Sequence, residues 1–117
     1  MDFDFNEQQN MLKTMARDFL VNECPKARVR ELEAEEKGYD PAMWAKMVEL
    51  GWLGLILPEQ YNGIGADYLD LVVLMEEMGR NVTPGPFFST VALCSIPVLK
   101  FGTGPQKARY LTPIADG

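Results

Sequence analysis

Helix start signals recur along this chain of 117 residues, and they constrain its fold more than any other feature. Asn6 followed three residues later by Gln9 forms the pattern of a capping box, and Thr103 with Gln106 repeats that pattern. Asp40-Pro41 joins an N-cap residue to a proline at the first helical position. Because no stretch of useful length alternates apolar and polar residues as a β-strand does, the sequence predicts an all-α fold.

Two apolar stretches indicate helices that lie inside a bundle. Residues 69–75 are apolar on nearly all sides, and we predict that Gly79 ends their helix. Residues 87–101 form the second stretch, which Pro97 should kink or divide in two. Together with the start signals, these stretches predict an irregular bundle of about five to six helices, in one domain over residues 1–117.

The composition excludes several classes of protein. Eleven basic residues against 17 acidic ones give a net charge of -6, so neither nucleic acid nor an anionic membrane surface is an expected partner. No apolar run reaches the roughly 18 residues of a membrane span, and the start Met1-Asp2-Phe3-Asp4 does not resemble a signal peptide. Cys24 and Cys94 form no disulfide pattern, so we expect two reduced thiols and a cytoplasmic protein.

The chain contains no histidine, which removes Ser/His/Asp and Cys/His catalysis and every histidine-containing metal site. Glu76 and Glu77 have two interpretations: a buried carboxylate that acts as an acid or base, or a carboxylate paired with a helix terminus or with a neighbouring arginine, such as Arg80 four residues after Glu76. Gly63-x-Gly65 could belong to a phosphate loop, but no strand precedes it and no lysine follows it. We favour the ion pair and turn glycines, and expect no catalytic, cofactor-binding or metal-binding residue here.

The elbow T-P-G-P-F-F at residues 83–88 is the better candidate for a binding site. At helical spacing, Gly85, Ser89, Ala92 and Leu93 share one face. Three of these residues are small, and they could leave a groove for an apolar chain or let another helix approach closely. From spacing alone, the second interpretation is favoured.

The order of motifs along the chain resembles the N-terminal helical domain of the acyl-CoA dehydrogenases. The first motif is W-x-x-M-V-E-L-G-W-L-G-L-I-L-P-E-x-Y-N-G-I-G-A-D, from Trp44 to Asp67. M-E-E-M-G-R follows at residues 75–80, and G-T-G-P-Q-K-x-x-Y-L-x-P begins at Gly102. Each motif alone is weak, whereas their order and spacing together are specific.

This resemblance implies an enzyme whose chemistry lies in two further domains. In such enzymes FAD lies between a middle β-domain and a C-terminal helical domain, and a C-terminal glutamate removes the α-proton of the acyl-CoA thioester. We therefore expect this chain alone to be inactive and to hold no FAD. The resemblance also implies a homo-oligomeric parent protein that passes electrons to an electron-transfer flavoprotein.

Carried over by position, the resemblance assigns the elbow and its helix to the acyl tunnel. The substrate-binding residues it implies are Gly85, Phe87, Phe88, Ser89 and Ala92, with Leu93 at the edge of the set. Two phenylalanine rings there favour short, branched or cyclic acyl groups. Two alternatives remain open. The same domain could serve an acyl-CoA oxidase, nitroalkane oxidase or flavin monooxygenase, or the chain could be a stand-alone helical interaction module.

Overall fold

The computed structural model describes residues 3–117, so Met1 and Asp2, half of the start that we compared with signal peptides, lie outside the described residues. Within those residues every element is helical and no strand occurs, which confirms the all-α prediction. The α-helices are α1 (Glu7–Glu23), α2 (Lys26–Glu33), α3 (Pro41–Glu49), α4 (Tyr68–Arg80), α5 (Ile96–Phe101) and α6 (Gly104–Asp116). A 3₁₀ turn spans Glu59–Tyr61, and a π-helix spans Phe88–Ser95. None of these helices is long and apolar enough to cross a membrane.

The start signals act as the sequence indicates. At α1, the Asn6 side chain accepts from the Gln9 amide at 2.8 Å, and the Gln9 side chain accepts from the Asn6 amide at 3.0 Å. Thr103 and Gln106 make the same reciprocal pair at the start of α6. Asp40 accepts from an amide in the first turn of α3 at 2.9 Å. All three predicted caps are confirmed, because each satisfies amides that the helix itself leaves unpaired.

The chain divides into two compact units. The first combines the residues up to Tyr39 with Tyr68–Pro84, and it contains α1, α2 and α4. Here α1 packs against α4, and apolar side chains from the three helices are buried. They include Ala16, Leu20, Leu32, Leu71, Leu74 and Met78. The Asn81 side-chain amide donates to the Cys24 carbonyl at 2.8 Å, so a residue just beyond α4 also satisfies the end of α1.

The second unit, Asp40–Asp67 with Gly85–Gly117, contains α3, the 3₁₀ turn, the π-helix, α5 and α6. Leu57, Leu111 and Ala115 form a buried cluster, against which half-buried apolar side chains pack. The packed side chains are Tyr61, Val98, Leu99 and Ile114. This cluster fixes α6 by one face, so the opposite face is free to form a surface.

Two predictions about helix ends have different outcomes. The helix α4 continues through Gly79 to Arg80, and Val82 takes the left-handed conformation beyond it, with φ 53°. The prediction that Gly79 ends this helix was therefore wrong. For Pro97 the outcome is a change of helix type and not a break: one residue before the proline the π-helix passes into α5, and the backbone at Ser95 and Ile96 stays right-handed helical. Proline lacks the amide that would continue an unbroken helix.

Candidate functional site: a groove in the second unit

The second unit carries a largely apolar groove with a volume of about 470 Å³. It is lined by Trp44, Ser89, Thr90, Cys94, Arg109, Tyr110, Pro113, Ile114 and Gly117. The helix α3 supplies the tryptophan, the π-helix supplies the two hydroxyls and the thiol, and α6 with the residue after it supplies the rest. The volume falls within the range of small-molecule sites, and one cation with a few polar groups among apolar walls is typical of them.

The contribution of α6 follows from its periodicity. Arg109, Tyr110, Pro113 and Ile114 recur at helical spacing on one side, while Leu111 and Ala115 are buried on the other. The Arg109 guanidinium lies 5.4 Å from the centre of the Tyr110 ring, within the range of a cation–π contact. This contact holds the one cationic side chain of the groove beside its aromatic wall.

The π-helix changes which residues of its segment share a face. Its hydrogen bonds join residues five apart, so each turn contains more residues than a turn of an α-helix. Ser89 and Cys94, five positions apart, both line the groove. The α-helical spacing of the sequence analysis instead grouped Ser89 with Ala92 and Leu93. In the structure neither of those two lines the groove; Ala92 is half-buried and Leu93 is exposed.

The other implied substrate-binding residues do not line this groove. Gly85 is exposed at the elbow, with φ 118°, a conformation that suits glycine. Phe87 is buried, whereas Phe88 is 55% exposed, so the two rings do not form one surface. Of the six residues assigned by resemblance, the groove therefore contains Ser89 alone. Thr90 and Cys94 were missed, and Pro97 was the one available sign that an α-helical period would be interrupted in this stretch.

The glycine loop has no free amides for a phosphate. The backbone amides of residues 63–66 all donate to backbone carbonyls, over distances from 2.8 to 3.1 Å. A methyl group at Gly63 would overlap the Leu57 carbonyl, so this glycine permits a close backbone contact. The structure supports turn glycines, and a flavin or coenzyme A phosphate would find no donors in this loop.

Glu77 is a buried partner of an arginine. Its carboxylate, 2% exposed, accepts from Arg17 Nε at 3.1 Å and from Nη2 at 2.9 Å. The Arg17 hydrogen bonds hold the pKa of Glu77 below its usual range, although burial acts in the opposite direction. The ion-pair interpretation is thus supported, but its arginine comes from α1 instead of being Arg80. An ionised carboxylate held in this way does not serve as a general acid.

Within residues 3–117, no three histidine, cysteine, aspartate or glutamate side chains come together as a metal ion would require. The described residues thus include a largely apolar groove and a structural ion pair.

The comparisons with known proteins agree with this description. The sequence profile described as "Acyl-CoA dehydrogenase, N-terminal domain" matches residues 6–117. The chain belongs to this family. It is 34% identical to the probable acyl-CoA dehydrogenase YngJ of Bacillus subtilis over 121 residues, which covers all of this chain and 31% of that protein. The caffeyl-CoA reductase-Etf complex subunit CarC of Acetobacterium woodii is 33% identical over 115 residues, which cover 97% of this chain and 30% of the subunit.

Solved structures show the same fold. A variant of the steroid ACAD Tcur3481-Tcur3483 superimposes with a TM-score of 0.86 at 32% identity, over 95% of this chain and 30% of that one. An acyl-CoA dehydrogenase from Bacillus anthracis, solved in complex with FAD, gives a TM-score of 0.82 at 32% identity, over 97% of this chain and 19% of that one. The chain thus spans about a third or less of the proteins it matches.

Proposed function

We propose that this chain is the N-terminal domain of an FAD-dependent acyl-CoA dehydrogenase, and that its groove forms a wall of the site for the acyl group. The reaction would be α,β-dehydrogenation of an acyl-CoA thioester. One observation carries the proposal: the groove in this family's N-terminal domain contains Ser89, which the resemblance assigns to the acyl tunnel. The groove walls formed by Trp44 and Ile114 suit an apolar chain better than a polar ligand.

The part this domain plays would be binding and water exclusion. FAD, when bound in the complete enzyme, supplies the acceptor for hydride, but the described residues of this chain do not form its site. The amides of residues 63–66 are already bonded, and the groove has one cation, Arg109. An apolar wall contributes by positioning the acyl chain and by removing water from it, which strengthens electrostatic interactions at the reacting carbons.

The substrate class is inferred from the residues that the resemblance assigns to the tunnel. Ser89, Ala92 and Gly85 are small, whereas Phe88 and Leu93 present exposed apolar side chains on the same segment. We infer that these residues, with Phe87, shape a tunnel for short, branched or cyclic acyl groups, with Ser89 in the groove and the others outside it. The likeness to a steroid ACAD supports a cyclic group. Trp44 and Tyr110 in the groove support it separately, since they offer flat aromatic surfaces to a ring.

The partners proposed for the complete enzyme are an acyl-CoA substrate, an electron-transfer flavoprotein and further copies of the same chain. A relative that belongs to an Etf complex supports the flavoprotein. The cytoplasm remains the proposed location. The second candidate function is the same domain in an acyl-CoA oxidase or flavin monooxygenase, since oxygen reactivity is determined around the flavin. Substrate-dependent flavin reduction without hydrogen peroxide or a hydroxylated product would favour the dehydrogenase.

The test is the variant Ser89→Phe in the complete enzyme. A ring at this position should fill the groove and shift preference toward shorter thioesters, by about tenfold in the ratio of kcat/KM for short over long acyl-CoAs. Ala108→Phe is the matched control, because Ala108 is exposed on α6 and does not line the groove. An unchanged ratio for Ser89→Phe would remove this groove from the acyl site.

A further inference from the structure

Ser95 is a fully buried polar residue at the end of the π-helix, and its hydroxyl bonds within its own segment. Ser95 Oγ donates to the Thr90 carbonyl oxygen at 3.0 Å. Serine and threonine hydroxyls inside α-helices usually bond to the carbonyl three or four residues earlier. This bond reaches five residues back, which is the interval of π-helical hydrogen bonding.

A comparison within the chain shows the difference. On α1, Thr14 Oγ1 donates to the Asn10 carbonyl, also at 3.0 Å, but four residues back. The two bonds have the same length and the same chemistry, and each follows the register of its helix. The Ser95 hydroxyl therefore adds a second donor to the Thr90 carbonyl in the π register, and an α-helical register would place a different carbonyl in its reach.

Pro97 acts at the same place for a separate reason. It has no amide to donate, and in a regular α-helix its ring would collide with the carbonyl of the residue four positions earlier, Leu93. The proline thus disfavours a continuous α-helix without selecting what replaces it. The buried hydroxyl of Ser95, in contrast, bonds to one particular acceptor, five residues back.

The register decides which side chains meet the groove. In the π-helix, Ser89, Thr90 and Cys94 line it. In an α-helix of the same sequence, Ser89 and Cys94, five positions apart, would lie about 140° from each other around the helix axis. One of the two would then leave the groove, and the shape of the groove would change.

We propose that Ser95 is a positioning residue, whose buried hydroxyl holds the π register through the Thr90 carbonyl and thereby sets which acyl groups the groove accepts. The link to acyl groups rests on the proposed function. The link from Ser95 to register concerns the backbone of this chain alone. The two steps can therefore be measured separately.

The first measurement is the hydrogen-bond acceptor of the residue-95 amide, read by through-bond NMR coupling between amide nitrogen and carbonyl carbon. In the unchanged chain the coupling should lead to Thr90, five residues back. Ser95→Ala should move it to Val91 or abolish it, whereas Ser95→Thr, which keeps a hydroxyl, should retain it. Thr14→Ala is the matched control, since it removes an equal hydroxyl bond from an α-helix and should leave the residue-95 coupling unchanged.

The second measurement is acyl selectivity of the complete enzyme with a series of acyl-CoAs of increasing length and with a ring-bearing one. Ser95→Ala should change the ratio of kcat/KM between two of these thioesters by about tenfold, mainly through KM, with Ser95→Thr close to the unchanged enzyme. Thr14→Ala should leave the ratio unaltered.

The outcomes separate the two claims. A residue-95 amide that still couples to Thr90 in Ser95→Ala overturns the inference and leaves the proposed function intact. A changed register with an unchanged ratio overturns the link to specificity. If Ser89→Phe also leaves the ratio unchanged, the proposed acyl site fails with it; if Ser89→Phe shifts the ratio, only the role of Ser95 fails.

Discussion

Each of the two compact units buries a polar side chain in a helix, but the two side chains are satisfied in different ways. In the first unit, the carboxylate of Glu77 is paired with Arg17, which lies 60 residues earlier in the chain. In the second, the hydroxyl of Ser95 bonds to Thr90 of its own segment. The first contact therefore fixes one helix against another, whereas the second fixes the course of one backbone.

The helix ends repeat this difference. After α3, the amides of Gly51 and Trp52 bond back to Val48 and Met47, a Schellman motif with glycine in the left-handed position. After α4, the amides of Val82 and Thr83 make the same pattern, but a β-branched valine occupies that position. The end of α3 thus has glycine in its left-handed position, whereas the end of α4 has a valine there, which is strained in that conformation.

The strain in the first unit is accompanied by an unpaired polar group. The Thr83 hydroxyl, next to Val82, is buried and has no hydrogen-bond partner. Val82 directly precedes the elbow at residues 83–88 and Thr83 is its first residue, where the resemblance places the start of the acyl-tunnel segment. Such features accumulate where a particular backbone path matters more than stability.

The largest expected effect is at Gly63 in the second unit. Gly63→Ala would place a methyl group on the Leu57 carbonyl, and because backbone must move to accept it, we expect a loss of about 3 kcal/mol or more in the free energy of unfolding. Gly65→Ala is the matched control: its surroundings are open and only its positive φ is strained, so it should cost about 1 kcal/mol. Urea denaturation of both variants measures the difference.

Equal losses for the two glycines would contradict the close backbone contact. They would also weaken the comparison between the units. The loss at Gly63 would then come from backbone conformation, as the strain at the end of α4 does, and not from a close contact.

The second effect lies at the ion pair of the first unit. Glu77→Gln keeps the size of the side chain but removes the charge that Arg17 meets, so we expect a loss of about 2 kcal/mol at neutral pH. Glu76→Gln, one residue earlier and exposed, should change stability by less than about 0.5 kcal/mol. Chemical denaturation at pH 7 compares the two.

The pH dependence gives an independent check on Glu77. Arg17 lowers the pKa of Glu77 in the folded state, so the unfolded state binds a proton first as the pH falls. The contribution of the pair is fully present above the unfolded pKa of about 4.3 and is lost as the pH falls through the lower folded pKa. The gap between the unchanged chain and Glu77→Gln should therefore shrink below about pH 4. A gap that grows on acidification would contradict an ionised Glu77.

The sequence predicted the helix starts because their cause is local. Asn6, Asp40 and Thr103 each cap amides two or three residues away, and all three were identified from spacing alone. The partner of Glu77 could not be found in this way, since no local pattern links a glutamate to an arginine 60 residues earlier. Sequence spacing indicated the nearer Arg80, and the fold brought Arg17 instead.

The groove was predictable only in part, for a reason that concerns helix type. The candidate face was drawn with an α-helical period, which keeps Ser89 but adds Ala92 and Leu93. The π-helix replaces that period and brings Cys94, five residues further on, to the side of Ser89, with Thr90 also in the groove. Pro97 indicated an interruption of the α-helix. A proline alone, however, does not determine which side chains of the preceding segment share a face. That choice depends on a buried hydroxyl bond, which has no sequence signature of its own.

The smallest effect tests the strained helix end and has the opposite sign. Val82→Gly should raise the free energy of unfolding by about 1 kcal/mol, because glycine adopts the left-handed conformation without the clash that a Cβ causes. Val82 is 62% exposed, so little packing is lost with its side chain. Gly51→Ala, at the equivalent position after α3, should lower stability, since its methyl group would also overlap the Ile64 side chain. Thermal denaturation of the two variants should move in opposite directions. If Val82→Gly is no more stable than the unchanged chain, the first unit carries no strain at this turn. The two helix ends would then differ in residue type but not in backbone strain.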